Sequence, residues 1–270
     1  MSIIQSIILG AVQGLTEFLP VSSSGHLTLL EDVFGITDVP ILFDVMLHVG
    51  TLVAVFIVLW KEIVAIITHP VKNKLGMLII ATIPAIALTL VADNIFPEAF
   101  ADLQNGKYLA FGFFATSGVL VACELVASRI ERKREHIELP QALVMGLMQA
   151  AAIAPGLSRS GSTIAGGLFT GIKREDAAKF AFLMSIPAIL GGVVFGAMDF
   201  METGMGSATI PSTIVGTAVA AVCGYFAITF MLKLISKHKL YGFAIYTAAM
   251  GVFVLVESMM YGNFFANPFV

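Results

Sequence analysis

Two short stretches concentrate the polar chemistry of this chain. In the first, Glu17 is followed by Pro20, three consecutive serines (Ser22, Ser23 and Ser24), Gly25 and His26. In the second, Pro155 and Gly156 lead into Ser158, Arg159, Ser160, Gly161, Ser162 and Thr163. Both lie in apolar sequence, where an ionisable side chain costs about 2.5–3.5 kcal/mol on membrane-insertion scales. A simple Glu17–Arg159 pair would offset that cost but would leave the serine and glycine runs unexplained. Short polar side chains and glycine let backbone N–H groups converge on a ligand. Each loop leads into a helix N-terminus, which offers free N–H groups and a positive dipole end. With the fork of Arg159, two such termini make an anion site suited to phosphate oxygens.

An anion site alone serves a transporter as well as an enzyme. Glu17, the hydroxyls and His26 add what hydrolysis of a diphosphate needs: charge neutralisation, a placed nucleophile and a stabilised leaving group. Glu17 can share a hard cation, Mg2+ or Ca2+, with phosphate oxygens. His26 can serve as general base, or can activate a serine as nucleophile. A transporter or lipid flippase needs no nucleophile, so this constellation favours the enzyme.

The elements that must carry these residues are membrane helices. Of the 270 residues, 58% are hydrophobic and only 12% charged, against about 25% charged in soluble domains. Mean hydropathy is +0.94. The net charge of -3 points to no nucleic-acid partner. Cys123 and Cys223 sit in apolar stretches and read as packing residues, and residues 1–10 lack the basic start of a usual signal peptide. Six stretches are long enough to cross a bilayer, near 39–60, 75–91, 108–128, 177–198, 211–232 and 240–260. Two more, 2–35 and 141–171, are interrupted by the polar loops. They read as re-entrant helix–loop–helix hairpins, because non-helical backbone survives at membrane depth only inside protein or a wet cavity.

The hairpins resemble each other at an offset of 136 residues. Gly10 and Gln13 align with Gly146 and Gln149, and Ser22, Ser24 and Gly25 with Ser158, Ser160 and Gly161. Each half then holds one hairpin and three spans. An odd number of spans inverts the second half, so the expectation is an all-α polytopic membrane protein built as an inverted-topology repeat, with halves 1–135 and 136–270. Charge agrees. Lys61, Lys72 and Lys74, then Arg129, Arg132, Lys133 and Arg134, then Lys173 and Arg174, then Lys233, Lys237 and Lys239 all fall on one side. Asp93, Glu98 and Asp102, with a lone Lys107, and then Asp199 and Glu202, fall on the other. The positive-inside rule makes the basic side cytoplasmic, with the hairpin loops meeting within the membrane.

The segment from Gln13 through Thr16, Glu17, Phe18, Leu19, Pro20, Ser22, Ser23, Ser24 and Gly25 to His26 resembles the first signature of the undecaprenyl-diphosphate phosphatase family, also called bacitracin-resistance proteins. The segment from Pro155 to Thr163 resembles its second. The resemblance implies hydrolysis of undecaprenyl diphosphate to undecaprenyl phosphate, a divalent cation, and a multi-pass protein of the bacterial cytoplasmic (inner) membrane whose site opens to the periplasmic or outer face. It also implies bacitracin resistance and ten helical pieces. Gln13 stands where some members have glutamate, leaving Glu17 to bind the cation with water and phosphate as its other ligands. The roles it suggests are Ser23 as nucleophile with His26 as partner, and Arg159 as clamp. Ser158, Ser160 and Thr163 would bind phosphate oxygens, with Ser22, Ser24 and Gln13 as second choices. Direct attack by water, with His26 as base, is the rival mechanism. Oligomeric state stays open, and a homodimer is allowed.

Other polar residues read more plainly. Asp44 and His48 share a helix face and could line the site, though such a pair is more often a contact between helices. His69, His136 and His238 read as loop residues, and Glu175 and Lys179 as an interfacial pair. Glu124 and Glu257 lie in or near spans, with no partner evident from sequence.

Overall fold

The structure is a computed structural model of the chain and describes residues 1–36, 41–69, 75–104, 106–130, 134, 136–203 and 209–260. Lys72, Lys74, Arg132, Lys133 and the expected start of the first span lie outside them, as do the side chains of Asp102, Asp199 and Glu202. The described residues form helices, with one isolated bridge between Arg134 and Ile172.

Six helices are long and apolar enough to cross a membrane: α3 (Ile41–Val58), α5 (Leu75–Ile95), α7 (Leu109–Ala127), α10 (Arg174–Thr203), α11 (Ile210–Lys237) and α12 (Tyr241–Met260). Each coincides with one expected span. Four shorter helices come in two pairs, α1 (Ile3–Glu17) with α2 (Ser23–Val33) and α8 (Leu139–Ala151) with α9 (Arg159–Phe169). At 1.5 Å per residue none of the four crosses a bilayer alone. Two further helices bring the total among the described residues to twelve rather than ten: α4 (Trp60–Thr68) and α6 (Pro97–Gln104). α4 follows a break in α3 at Leu59 and buries Ile63 and Ile66. α6 opens on Pro97, whose fixed φ suits a first helical residue.

The hairpins turn for local reasons. α1 starts with a capping box between Ser2 and Gln5. It stops before Pro20, which has no N–H with which to continue a helix. Ser22 then adopts φ 69°, a left-handed conformation rare for a residue with a side chain. α8 starts on a box between Glu138 and Gln141, and its pair turns through Gly156 at φ 86°.

Glycines set how closely these helices pack. A Cβ at Gly10 would lie 2.3 Å from the Gly216 carbonyl oxygen of α11, and one at Gly146 would lie 2.4 Å from that of Ala81 in α5. Backbone therefore rests on backbone, as small residues allow in membrane bundles. The two aligned glycines thus seat α1 on α11 and α8 on α5. α3 packs between α10 and α11, and α12 packs on α7. The hairpin loops meet: a Cβ at Gly25 would lie 3.1 Å from Gly156 Cα, and Ser160 Oγ donates to the Leu19 carbonyl at 2.9 Å.

One end of the bundle gathers the basic segments. Lys179 bridges Glu62 at 3.4 Å and Glu175 at 2.8 Å. Arg134 N–H donates to the Gly171 carbonyl at 2.8 Å. Glu124, fully buried at the end of α7, accepts both arms of Arg174 from α10 and the Leu240 N–H at the start of α12. It thereby ties three spans together, a partnership the sequence did not reveal. Glu124→Ala would leave a partly buried guanidinium and a buried N–H without their acceptor. Losing one partner of a buried pair costs about 3–5 kcal/mol, so a clear fall in the melting temperature of the detergent-purified protein is expected. An unchanged melting temperature would show the tie to be dispensable.

Candidate active site

The two helix pairs place the candidate residues through matching local structure. Ser22 caps α2 by accepting the Gly25 N–H at 3.3 Å, and Ser158 caps α9 by accepting the Gly161 N–H at 3.0 Å. Ser22 Oγ lies 3.3 Å from Ser24 Oγ, and Ser158 Oγ lies 3.2 Å from Ser160 Oγ. Each cap satisfies one N–H of a first helical turn. Ser23 and Arg159 then occupy the same position, the first residue of α2 and of α9.

Both reach the same carboxylate. Glu17, 5% exposed at the end of α1, accepts Ser23 Oγ–H on Oε2 at 2.6 Å. Gln13 Nε2, one turn earlier, donates to the same oxygen at 3.1 Å. Arg159 pairs with Oε1. Glu17 is thus the hub of the site, with the candidate nucleophile on one oxygen and the candidate phosphate clamp on the other. Phe18, beside it, packs edge-on against Phe182 of α10 with ring centroids 5.3 Å apart, which fixes the end of α1.

His26 is held elsewhere. Its Nδ1 is 2.7 Å from the Ser22 carbonyl, and its Nε2 is 2.7 Å from the Tyr246 hydroxyl of α12. Its ring stacks on Tyr246 and meets Phe113 edge-on. Ser23 therefore has Glu17 as its partner in this structure, and His26 braces the turn. The hydroxyls of Ser158 and Thr163 are engaged within the second loop, Thr163 with the Arg159 carbonyl, and that of Ser160 donates across to Leu19 of the first hairpin. Thr116 of α7 pins that loop from outside. It donates to the Gly156 carbonyl and accepts the Ser158 N–H, both at 2.8 Å. Neither Thr116 nor Tyr246 stood out in the sequence, because an isolated Thr or Tyr in an apolar span carries no spacing signal.

Asp44 and His48, set aside as a helix pair, do join the site. His48 Nε2 lies 3.8 Å from Glu17 Oε2. Its Nδ1 is 2.8 Å from the Asp44 carbonyl. Both residues line a cavity of 270 Å³ with Arg159 and with Ile189 and Gly192 of α10. Among the described residues Asp44 Oδ1 has no hydrogen-bond partner.

These donors bear on a cation. Both Glu17 oxygens accept hydrogen bonds, one of them from a guanidinium. Among the described residues Asp44 is the carboxylate that lines the cavity. Among the described residues no three His, Cys, Asp or Glu side chains converge as a metal cage. The residues present suit a cation held largely by substrate oxygens and water, as Mg2+ commonly is.

Residues 6–253 match the model of the bacitracin resistance protein BacA. The chain belongs to the BacA family. Among BacA-family relatives, an undecaprenyl-diphosphatase of Carboxydothermus hydrogenoformans is 43% identical over 262 residues, covering 95% of this chain and 97% of its own. One from Alkaliphilus metalliredigens is 39% identical over 279 residues, covering 96% and 100%. The undecaprenyl-diphosphatase 3 of Bacillus cereus is 38% identical over 256 residues, covering 95% and 97%. In this BacA-family member the polar cluster and the membrane-crossing helices thus belong to one fold shared along nearly the whole chain.

Proposed function

We propose that the chain hydrolyses undecaprenyl diphosphate to undecaprenyl phosphate and inorganic phosphate, returning the lipid carrier to cell-wall synthesis and conferring bacitracin resistance. The observation that carries the mechanism is the Ser23 Oγ–Glu17 hydrogen bond beside Arg159. A terminal phosphate entering the cavity takes the Arg159 fork. Glu17 then loses its cation and becomes the stronger base. Ser23 Oγ attacks the terminal phosphorus, and its proton passes to Glu17 Oε2. The bond from phosphorus to the bridging oxygen breaks, and that oxygen leaves with undecaprenyl phosphate. Water then attacks the phosphoserine. The P–Oγ bond breaks, Oγ recovers the proton from Glu17, and phosphate departs with the hydrogens of the water. The positive ends of α2 and α9 and the Arg159 charge stabilise the equatorial oxygens throughout. Direct attack by water is the second reading, favoured by His48, which lines the same cavity and has Nε2 3.8 Å from Glu17 Oε2.

Asp44 is the proposed protein ligand for Mg2+ or Ca2+, which supplies charge neutralisation on the phosphate oxygens. Asp44→Asn is expected to raise the cation concentration for half-maximal turnover about tenfold or more, and to weaken Mn2+ binding read by electron paramagnetic resonance. Unaltered Mn2+ binding would return the cation to Glu17.

The repeat halves 1–135 and 136–270 are supported by the paired glycines, caps and loop hydroxyls. The basic end reads as cytoplasmic, in the inner membrane, with the site open toward the outer face; the positive-inside rule supports this. The test of function is phosphate release from undecaprenyl diphosphate by purified protein, with and without Mg2+. Cation-dependent turnover is expected. No turnover by folded protein across prenyl diphosphates and cations would leave a transporter or flippase as the better reading.

A further inference from the structure

A groove of 610 Å³ is lined by the first hairpin, by α11 and α12, and by His238 and Lys239 between those two helices. Its walls are Leu15 and Leu19 of the first hairpin, Phe230 and Leu234 of α11, and Phe243 of α12. Tyr246, whose hydroxyl meets His26, closes the inner end. Gly242 forms part of the floor, and a Cβ there would meet nothing within 4 Å.

The mouth of this groove is cationic. A second cavity, of 280 Å³, adjoins it through Phe230, Leu234 and His238, and is lined by Lys233 and Lys237. Lys239 lines the groove itself. Among the described residues no acidic side chain lines either cavity. Among the described residues, neither Lys233 nor Lys237 makes an ion pair. Interfacial lysine is common on the cytoplasmic side of membrane proteins. Here it borders an apolar groove, and that combination matches one lipid: an anionic headgroup outside and a chain within.

We infer that this groove binds one monoanionic glycerophospholipid of the leaflet at the basic end, its phosphodiester held by Lys233, Lys237 and Lys239 and a chain lying between α11 and α12 against the first hairpin. Among the described residues the lining offers exposed lysines and no arginine. Lysine acts as a hydrated point charge, sufficient for a phosphodiester. The product of the proposed reaction also carries a phosphate on a lipid chain, so competition between the two lipids decides the occupant. Assigning the lipid to the cytoplasmic leaflet rests on the proposed orientation; the binding itself rests on the groove.

The test is native mass spectrometry of the purified, delipidated full chain titrated with phosphatidylglycerol. No substrate is present, so the result stands apart from turnover and from orientation. One phosphatidylglycerol is expected to bind wild type in preference to phosphatidylcholine. The Lys233→Gln, Lys237→Gln, Lys239→Gln triple variant should bind about 10- to 100-fold more weakly. Gly242→Trp, which fills the slot and leaves every lysine in place, should abolish the adduct, and Lys61→Gln at the same end should not. Equal binding of phosphatidylcholine, an unchanged adduct in both groove variants, or occupation by undecaprenyl phosphate without competition from phosphatidylglycerol would each overturn the inference.

Discussion

Ser23→Ala is expected to reduce phosphate release by at least about 10³-fold, the order seen when a nucleophile working with its base is removed. Folding should survive. Ser23 is only half-buried, and Glu17 keeps Gln13 and Arg159 as partners. One hydrogen bond lost at such a position costs about 1 kcal/mol. The flanking serines make internal controls. Ser24 is exposed, and alanine there should leave turnover within a few-fold of wild type. Ser22 caps α2, so its alanine variant should lose about 1 kcal/mol of stability, and activity in proportion to the disturbed turn. A trapped phosphoserine after brief exposure to substrate would show the covalent route directly. Ser23→Ala retaining turnover within tenfold of wild type would instead select attack by water, and would move attention to His48 and His26 as bases.

Arg159→Ala has the other large expected effect, and it has two parts. Loss of the phosphate clamp should lower turnover by about 10²- to 10³-fold, as removal of a preorganised charge stabiliser does. It also leaves Glu17 buried and without its cation, at a cost of about 3–5 kcal/mol. A second substitution separates the parts. Glu17→Gln added to Arg159→Ala removes the stranded charge, so the double variant should regain much of the melting temperature while staying inactive. The two residues are in contact, and their effects on stability should accordingly be non-additive. Arg159→Lys keeps a charge but not the fork, and should fall between wild type and alanine in activity. Full activity in Arg159→Ala would remove the clamp from the mechanism.

Much of this protein was determined by sequence alone, because the membrane imposes strong local rules. An apolar run of bilayer length has few alternatives to a helix, and all six expected spans coincide with helices in the structure. The interruptions of the two remaining apolar stretches were legible because Pro20, Pro155 and the Ser/Gly runs beside them do not continue an apolar helix. Expensive charges within apolar sequence marked Glu17 and Arg159, and the family signatures led to the same loops. What only the tertiary structure decided is which group faces which. Ser23 could equally have been paired with His26, three residues along the same helix; the turn at Ser22 directs its hydroxyl to Glu17 and directs the imidazole to Tyr246, 220 residues distant. Asp44 and His48 carried no signal beyond a shared helix face, and only the packing of α3 against α10 brings them to the cavity of Arg159. Glu124 had no evident partner, because Arg174 and Leu240 meet it from two other spans. Helix formation and helix-breaking are local properties of the chain, whereas the pairing of buried polar groups depends on contacts between segments far apart in it.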